Sequence, residues 1–78
     1  MCVVTWFDTA TEETWQSEAA ARDAKATVCE TAGWLLRNDG DFVVVASTRQ
    51  RPGPDTHDPY NSVTTIPGAA VYDIAFLD

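Results

Sequence analysis

Basic charge is scarce in this chain: five Lys and Arg stand against twelve Asp and Glu, a formal charge of −7. A surface of that sign repels phosphate backbones and forgoes the counterion release that dominates nucleic-acid affinity, so long DNA or RNA is a poor default partner unless the few Arg cluster in an oligomer. Histidine occurs once, as His57, and cysteine twice, as Cys2 and Cys29, with no Cys-x-x-Cys spacing. That provides neither a disulfide framework nor a zinc set, and both cysteines read as reduced, half-buried thiols. No apolar run approaches the roughly 20 residues of a membrane span. Met1, Cys2, Val3 and Val4 lead into Thr5 and Trp6 with no basic leader, so a cytoplasmic chain made without processing is expected, with no membrane partner.

The ingredients of catalysis are equally thin. There is no P-loop and no Gly-x-Gly-x-x-Gly. Cys29 has no histidine in its segment to act as a base. Asp55, His57 and Asp58 lie together, but one imidazole and two carboxylates in a Pro-rich stretch lack a fixed frame for a metal. Glu12 and Glu13 read as a solvated loop rather than an acid–base pair. The expectation is therefore no catalytic residue, no metal, no other cofactor and no enzymatic activity.

What is present is apolar and β-rich. With 45% hydrophobic residues and three Trp, the chain is too apolar to be disordered. Its 78 residues make one small domain, 1–78, whose thin core favours self-association. Residues 2–7 read as a first strand. A helix is expected over 17–26, because Ser17 can cap it, Glu18 suits its first turn and Lys25 its last. The alanines of that helix bury little, so Trp15 just upstream supplies the bulk that anchors it over a sheet opening or edge. Residues 27–37 return to strand character, interrupted at Gly33, where a bulge or strong bend is expected. Asn38, Asp39, Gly40 and Asp41 form the clearest turn signal, joining a hairpin to the apolar strand 42–48.

From 49 to 61 the composition changes to three prolines, a glycine and no apolar period, which marks a long loop of the kind that often carries function. Strands are expected again over 62–66 and 71–77, with a one-turn pivot at Pro67 and Gly68 between them. Trp6, Trp34, Phe42 and Phe76 sit in apolar strand context and read as core.

Five strands, a long third connection and a single turn before the last strand outline a mainly β (α+β) fold. Residues Ile66, Pro67, Gly68, Ala69, Ala70, Val71, Tyr72, Asp73 and Ile74 resemble the second Sm motif, with Pro67 where that motif has its RNA-contacting arginine. The resemblance implies a small Sm-like or Src-homology-3-type β-barrel, five-stranded, with one short helix after strand 1. Val4 to Asp8, Trp15 to Ala19, Gly33 to Leu36, the 38–41 turn and Ile66-Pro67 also resemble, in their order, small uncharacterised tailed-phage proteins. That resemblance implies a host-cell cytoplasmic location. By type, it also implies an anti-defence protein that sequesters a nucleotide signal of bacterial immunity.

Arg49 and Arg51 are two of only five basic residues and lie two apart, a spacing that in a strand points both the same way and suits a phosphate or carboxylate. Tyr60 and Trp15 sit at element edges among polar residues, where an aromatic can stack on a base. These four form the candidate ligand site. The leading expectation is a non-enzymatic homo-oligomer that holds a small anion, of nucleotide type, in the 49–60 loop against a neighbouring subunit. A protein–protein adaptor or inhibitor is the alternative, and an Sm-like RNA binder a weaker one.

Overall fold

Glycine decides where this chain can bend, and two of its four glycines set the sheet. In the computed structural model, which describes residues 1–8 and 14–77, Gly33 lies where β2 leaves one neighbour for the next. The strands are β1 (Cys2–Asp8), β2 (Thr27–Asn38), β3 (Phe42–Arg49), β4 (Tyr60–Pro67) and β5 (Val71–Phe76). A five-residue helix, α1 (Glu18–Arg22), follows β1, and a 3₁₀ turn, Gly68–Ala70, separates β4 from β5. All neighbouring strands are antiparallel, in the order β4-β3-β2-β1-β5.

The first half of β2 pairs with β1, where Cys2 faces Gly33 and Trp6 faces Cys29. Its second half pairs with β3, where Trp34 faces Ala46 and Leu35 faces Val45. At the junction the backbones come so close that a Cβ on Gly33 would lie 2.8 Å from the Ala46 carbonyl carbon and closer still to its oxygen. Only glycine permits that approach. At Gly33, where a bulge or bend is expected, β2 turns from one partner to the other, and the register shift itself lies further on, between Leu35 and Arg37.

The other close approach joins two turns. Gly40 takes φ +89°, as the hairpin between β2 and β3 requires, and Asp39 folds its carboxylate onto the backbone N–H groups of Asp41 and Phe42, both at 3.0 Å. The Gly68 N–H then donates to the Asp41 carbonyl at 2.8 Å, seating the 3₁₀ turn against the hairpin. A Cβ on Gly68 would meet the Gly40 carbonyl, so this contact too needs glycine.

The core is as thin as the chain length implies. Cys2, Val4, Val43, Val45 and Ile66 form it on one face of the sheet, with Trp6, Leu35, Ala70, Val71 and Ile74 packed partly buried around them. The Trp6 indole donates to Thr31 Oγ1 at 2.9 Å, so its polar edge is satisfied at the core margin.

Three expectations are corrected. The sheet does not close into a barrel: β4 and β5 are its two edges and no hydrogen-bonded ladder joins them. Strand count and turn chemistry are local properties, whereas closure needs a tilt and stagger that bring the edges within one strand spacing. The helix does not run over 17–26 or cover an opening. It is capped by Ser17, whose Oγ accepts from the Ala20 N–H at 3.2 Å, ends at Arg22, and buries none of its residues. Without packing, a nucleus this short gains no tertiary support to extend it. Finally, Phe42 and Phe76 are 38% and 68% exposed rather than core, because an open sheet leaves its margins uncovered. The molecule measures 58 × 23 × 22 Å, with a Cα radius of gyration of 16.5 Å. A compact chain of this length would have about 11–12 Å. Among the described residues, no helix is long and apolar enough to cross a membrane.

Candidate anion site at the β3–β4 end

Strand β3 persists through Arg49 and β4 begins at Tyr60, one and two residues further into the polar segment than its composition indicates. Arg49 and Tyr60 are cross-strand partners, and the Gln50 N–H donates to the Pro59 carbonyl at 2.7 Å just beyond them. The connection is thus cinched at its base. Within it, the Thr56 N–H donates to the Gly53 carbonyl at 3.1 Å and the Thr56 hydroxyl to the Arg51 carbonyl at 3.2 Å. A loop with its own cross-bonds is partly organised before any ligand arrives, which lowers the ordering cost of binding.

Arg49 is held by an aromatic. Its guanidinium carbon lies 4.5 Å from the centre of the Trp34 ring, a cation–π contact across β2 and β3. Arg37 lies similarly over Phe42, at 5.1 Å, but there the charge is also paired with Asp39. Arg22 is paired with Glu18. Among the described residues, Arg49 and Arg51 form no ion pair with a carboxylate. The two arginines therefore differ in kind: Arg37 is consumed by its turn, while Arg49 is positioned by a ring and keeps its N–H donors.

Among the described residues, the Asp39 carboxyl is displaced downward in pKa. The Phe42 backbone N–H, then the Arg37 side chain, then the Asp41 N–H hold it below its ordinary value. This belongs to the hairpin turn and is not near the Arg49 site in the strand pairing, which places Asn38 and Arg49 at opposite ends of β3.

Of the four residues read from the sequence, Arg49 and Tyr60 meet across a ladder and Arg51 opens the adjoining loop. Trp15 does not join them: its side chain is fully exposed ahead of α1 and lies against nothing. Trp34 is the residue that sequence reading misplaced as core. The signal was available, because Gly33 and Leu35 face the core and strand alternation sends Trp34 to the opposite side. His57, Asp55 and Asp58 are exposed in the loop, and among the described residues no three metal-ligating side chains gather. Glu12 and Glu13 lie outside the described residues.

Cys2 is buried and Cys29 half-buried, both as free thiols. No protein-family model, curated protein or solved structure matches this chain. The resemblances to Sm-like barrels and to small tailed-phage proteins, with the anti-defence role attached to the latter, are therefore set aside: the sheet is open, and no relative supports them.

Proposed function

We propose that this chain is a non-enzymatic, self-assembling binding module that holds a small anion of nucleotide type at the β3–β4 end of its sheet, in the cytoplasm. The observation that carries the reading is the state of Arg49: fixed over Trp34, beside Tyr60, and paired with no carboxylate among the described residues. A protein of charge −7 repels anions at long range, so affinity must come from a few directed donors at short range. Arg49 and Arg51 supply such donors, and an Arg–phosphate hydrogen bond contributes on the order of 1.5–3 kcal/mol. Tyr60, 43% exposed, offers a face on which a base could stack, worth roughly 1–3 kcal/mol in single-strand binders. Two free thiols suit a reducing compartment.

The test is a thermal-shift screen of cyclic and linear nucleotides, followed by calorimetry on any that raise the melting temperature. At least one nucleotide should bind the native chain, and the double variant Arg49→Ala, Arg51→Ala should bind none while keeping its β-sheet circular dichroism. A panel with no binder overturns the ligand class. Full-strength binding by the double variant places the site elsewhere.

A further inference from the structure

The two edges of the sheet are not equivalent. Strand β4 is a defended edge: it ends on Pro67, which has no N–H to offer, and it kinks at Ser62, a non-glycine residue at φ +54° whose N–H is turned back onto Asn61 Oδ1. Strand β5 has neither a proline nor a positive-φ kink, and its one irregularity is a bulge at Tyr72, where Thr5 faces Asp73 and Trp6 faces Val71. It reads Val71, Tyr72, Asp73, Ile74, Ala75 and Phe76, with no proline, no lysine and one charge. Its outer side pairs with nothing among the described residues.

The β1–β5 ladder fixes which groups face outward. The Leu77 N–H donates to the Met1 carbonyl at 3.0 Å. Continuing the observed register, in which Val3 faces Ala75 and Thr5 faces Asp73, the hydrogen-bonded pairs are those of Leu77, Ala75 and Asp73. The N–H and C=O groups of Ile74 and Phe76 therefore point to the open edge. Around that edge, Tyr72 is 73% exposed, Phe76 68%, Met1 and Leu77 52% each, and Phe7 meets Tyr72 edge-to-face at 5.9 Å between ring centres.

We infer that β5 is a self-pairing edge, joining two copies antiparallel about a two-fold axis into one continuous ten-stranded sheet. This deepens the self-assembling part of the function proposed above and rests on it, but not on the anion site. The register follows from the outward-facing groups: Ile74 pairs with Ile74 of the second copy. Asp73 then falls beside the second copy's Ala75, so the two Asp73 carboxylates are kept apart. Pairing to the β4 edge would instead meet Pro67 and the Ser62 kink. Area agrees. Taking about 200 Å² for a whole aromatic side chain, the apolar groups around β5 present on the order of 500 Å². With the strand backbone, two copies would bury roughly 1,200 Å², the lower end for a specific, stable pair.

The test is solution mass by light scattering at tens of micromolar, without nucleotide. The native chain should weigh twice 8.5 kDa. Phe76→Pro removes an outward N–H while sparing the β1 ladder, and should give a monomer. Ala75→Asp should also give a monomer by setting carboxylates at 73 and 75 opposite one another across the axis. Adding Asp73→Lys to Ala75→Asp should restore the dimer, a rescue that loss of folding could not produce. Val63→Lys, on the β4 edge, should leave the dimer intact. A monomeric native chain, a larger ring or filament, a dimer that survives Ala75→Asp, or a foreign protein that saturates β5 in place of the second copy would each overturn the inference. Nucleotide calorimetry on the monomeric variant reads the anion site separately, so failure of one leaves the other standing.

Discussion

Replacing Gly33 with alanine adds one methyl group at the point where the two halves of the sheet are hinged. That methyl would sit 2.8 Å from the Ala46 carbonyl carbon, closer to its oxygen, and 3.0 Å from Val45 Cγ1. Neither neighbour can retreat easily. The carbonyl belongs to the β3 backbone, and Ala46 and Val45 are both fully buried. Overpacking a tight core costs about 1–3 kcal/mol, and a backbone obstacle puts this site at the upper end, near 3 kcal/mol. A chain of 78 residues has roughly 4–12 kcal/mol of stability in total, so the change removes a large share of it. At about 4–8 °C per kcal/mol for a domain of this size, the melting temperature should fall by about 12–24 °C. Thermal unfolding followed by circular dichroism and by tryptophan emission, to which the adjacent Trp34 contributes, measures it. Gly53→Ala is the control, because the nearest atom to its new methyl is Thr56 Oγ1 at an ordinary 3.7 Å. A Gly33→Ala protein melting within about 4 °C of the native chain, a loss under about 1 kcal/mol, would refute the argument that the bend demands a bare Cα.

Trp34→Leu should weaken nucleotide binding about three- to fivefold, the equivalent of a lost cation–π contact of about 0.5–1 kcal/mol at an exposed site; unchanged affinity in calorimetry would separate Arg49 from its ring. Gly68→Ala should shift the melting temperature downward as Gly33→Ala does, since its methyl would strike the Gly40 carbonyl, and an unchanged melt would show that the two turns are not locked. Ser17→Ala should erase hydrogen-exchange protection in α1 yet leave the global melt unmoved, because the helix has no buried residue to transmit the loss. Asp39 has a folded pKa below its unfolded one, so its contribution to stability is present above the unfolded value and is lost as pH falls through the folded value. Urea midpoints taken from about pH 5 down to pH 2 should therefore decline more steeply for the native chain than for Asp39→Asn, and parallel curves would remove Asp39 from the account.

Where the sequence was legible, the signal was local. Gly33 and Gly68 stand where no Cβ fits and Gly40 takes a positive φ, so the residues announce the geometry. Five strands and one helix after the first follow from those breaks. Barrel closure has no such residue-level mark, since it depends on how far curvature accumulates across four ladders. The short α1 shows the same limit, because Glu18 to Ala26 has good helical propensity and lacks only a surface to pack against. Phe42 and Phe76 read as core because apolar strand residues usually face something, but Phe42 is the end residue of β3 and Phe76 lies on the edge strand β5. Tyr60 reads as loop because its strand is an edge, where Asn61 stays solvated while still pairing with Thr48. The site was half visible: two arginines and a tyrosine emerged from composition, whereas the ring beneath Arg49 required knowing that β2 and β3 are neighbours.

The pairing of β1 with β5 also sets a clock. Cys2 is fully buried, yet its partner across the ladder is Phe76, almost the whole described chain away. Synthesis at about 5–20 residues per second separates the two strands by roughly 4–15 s. Throughout that interval the hairpin of β2 and β3 can form on a timescale of about microseconds, but Val4 and Trp6 have only one flank to pair with. Such distant pairing places the chain among slow-folding topologies, and β1 is among the last strands to be completed. A nascent chain of this design therefore keeps an apolar strand in need of protection until β5 leaves the ribosome.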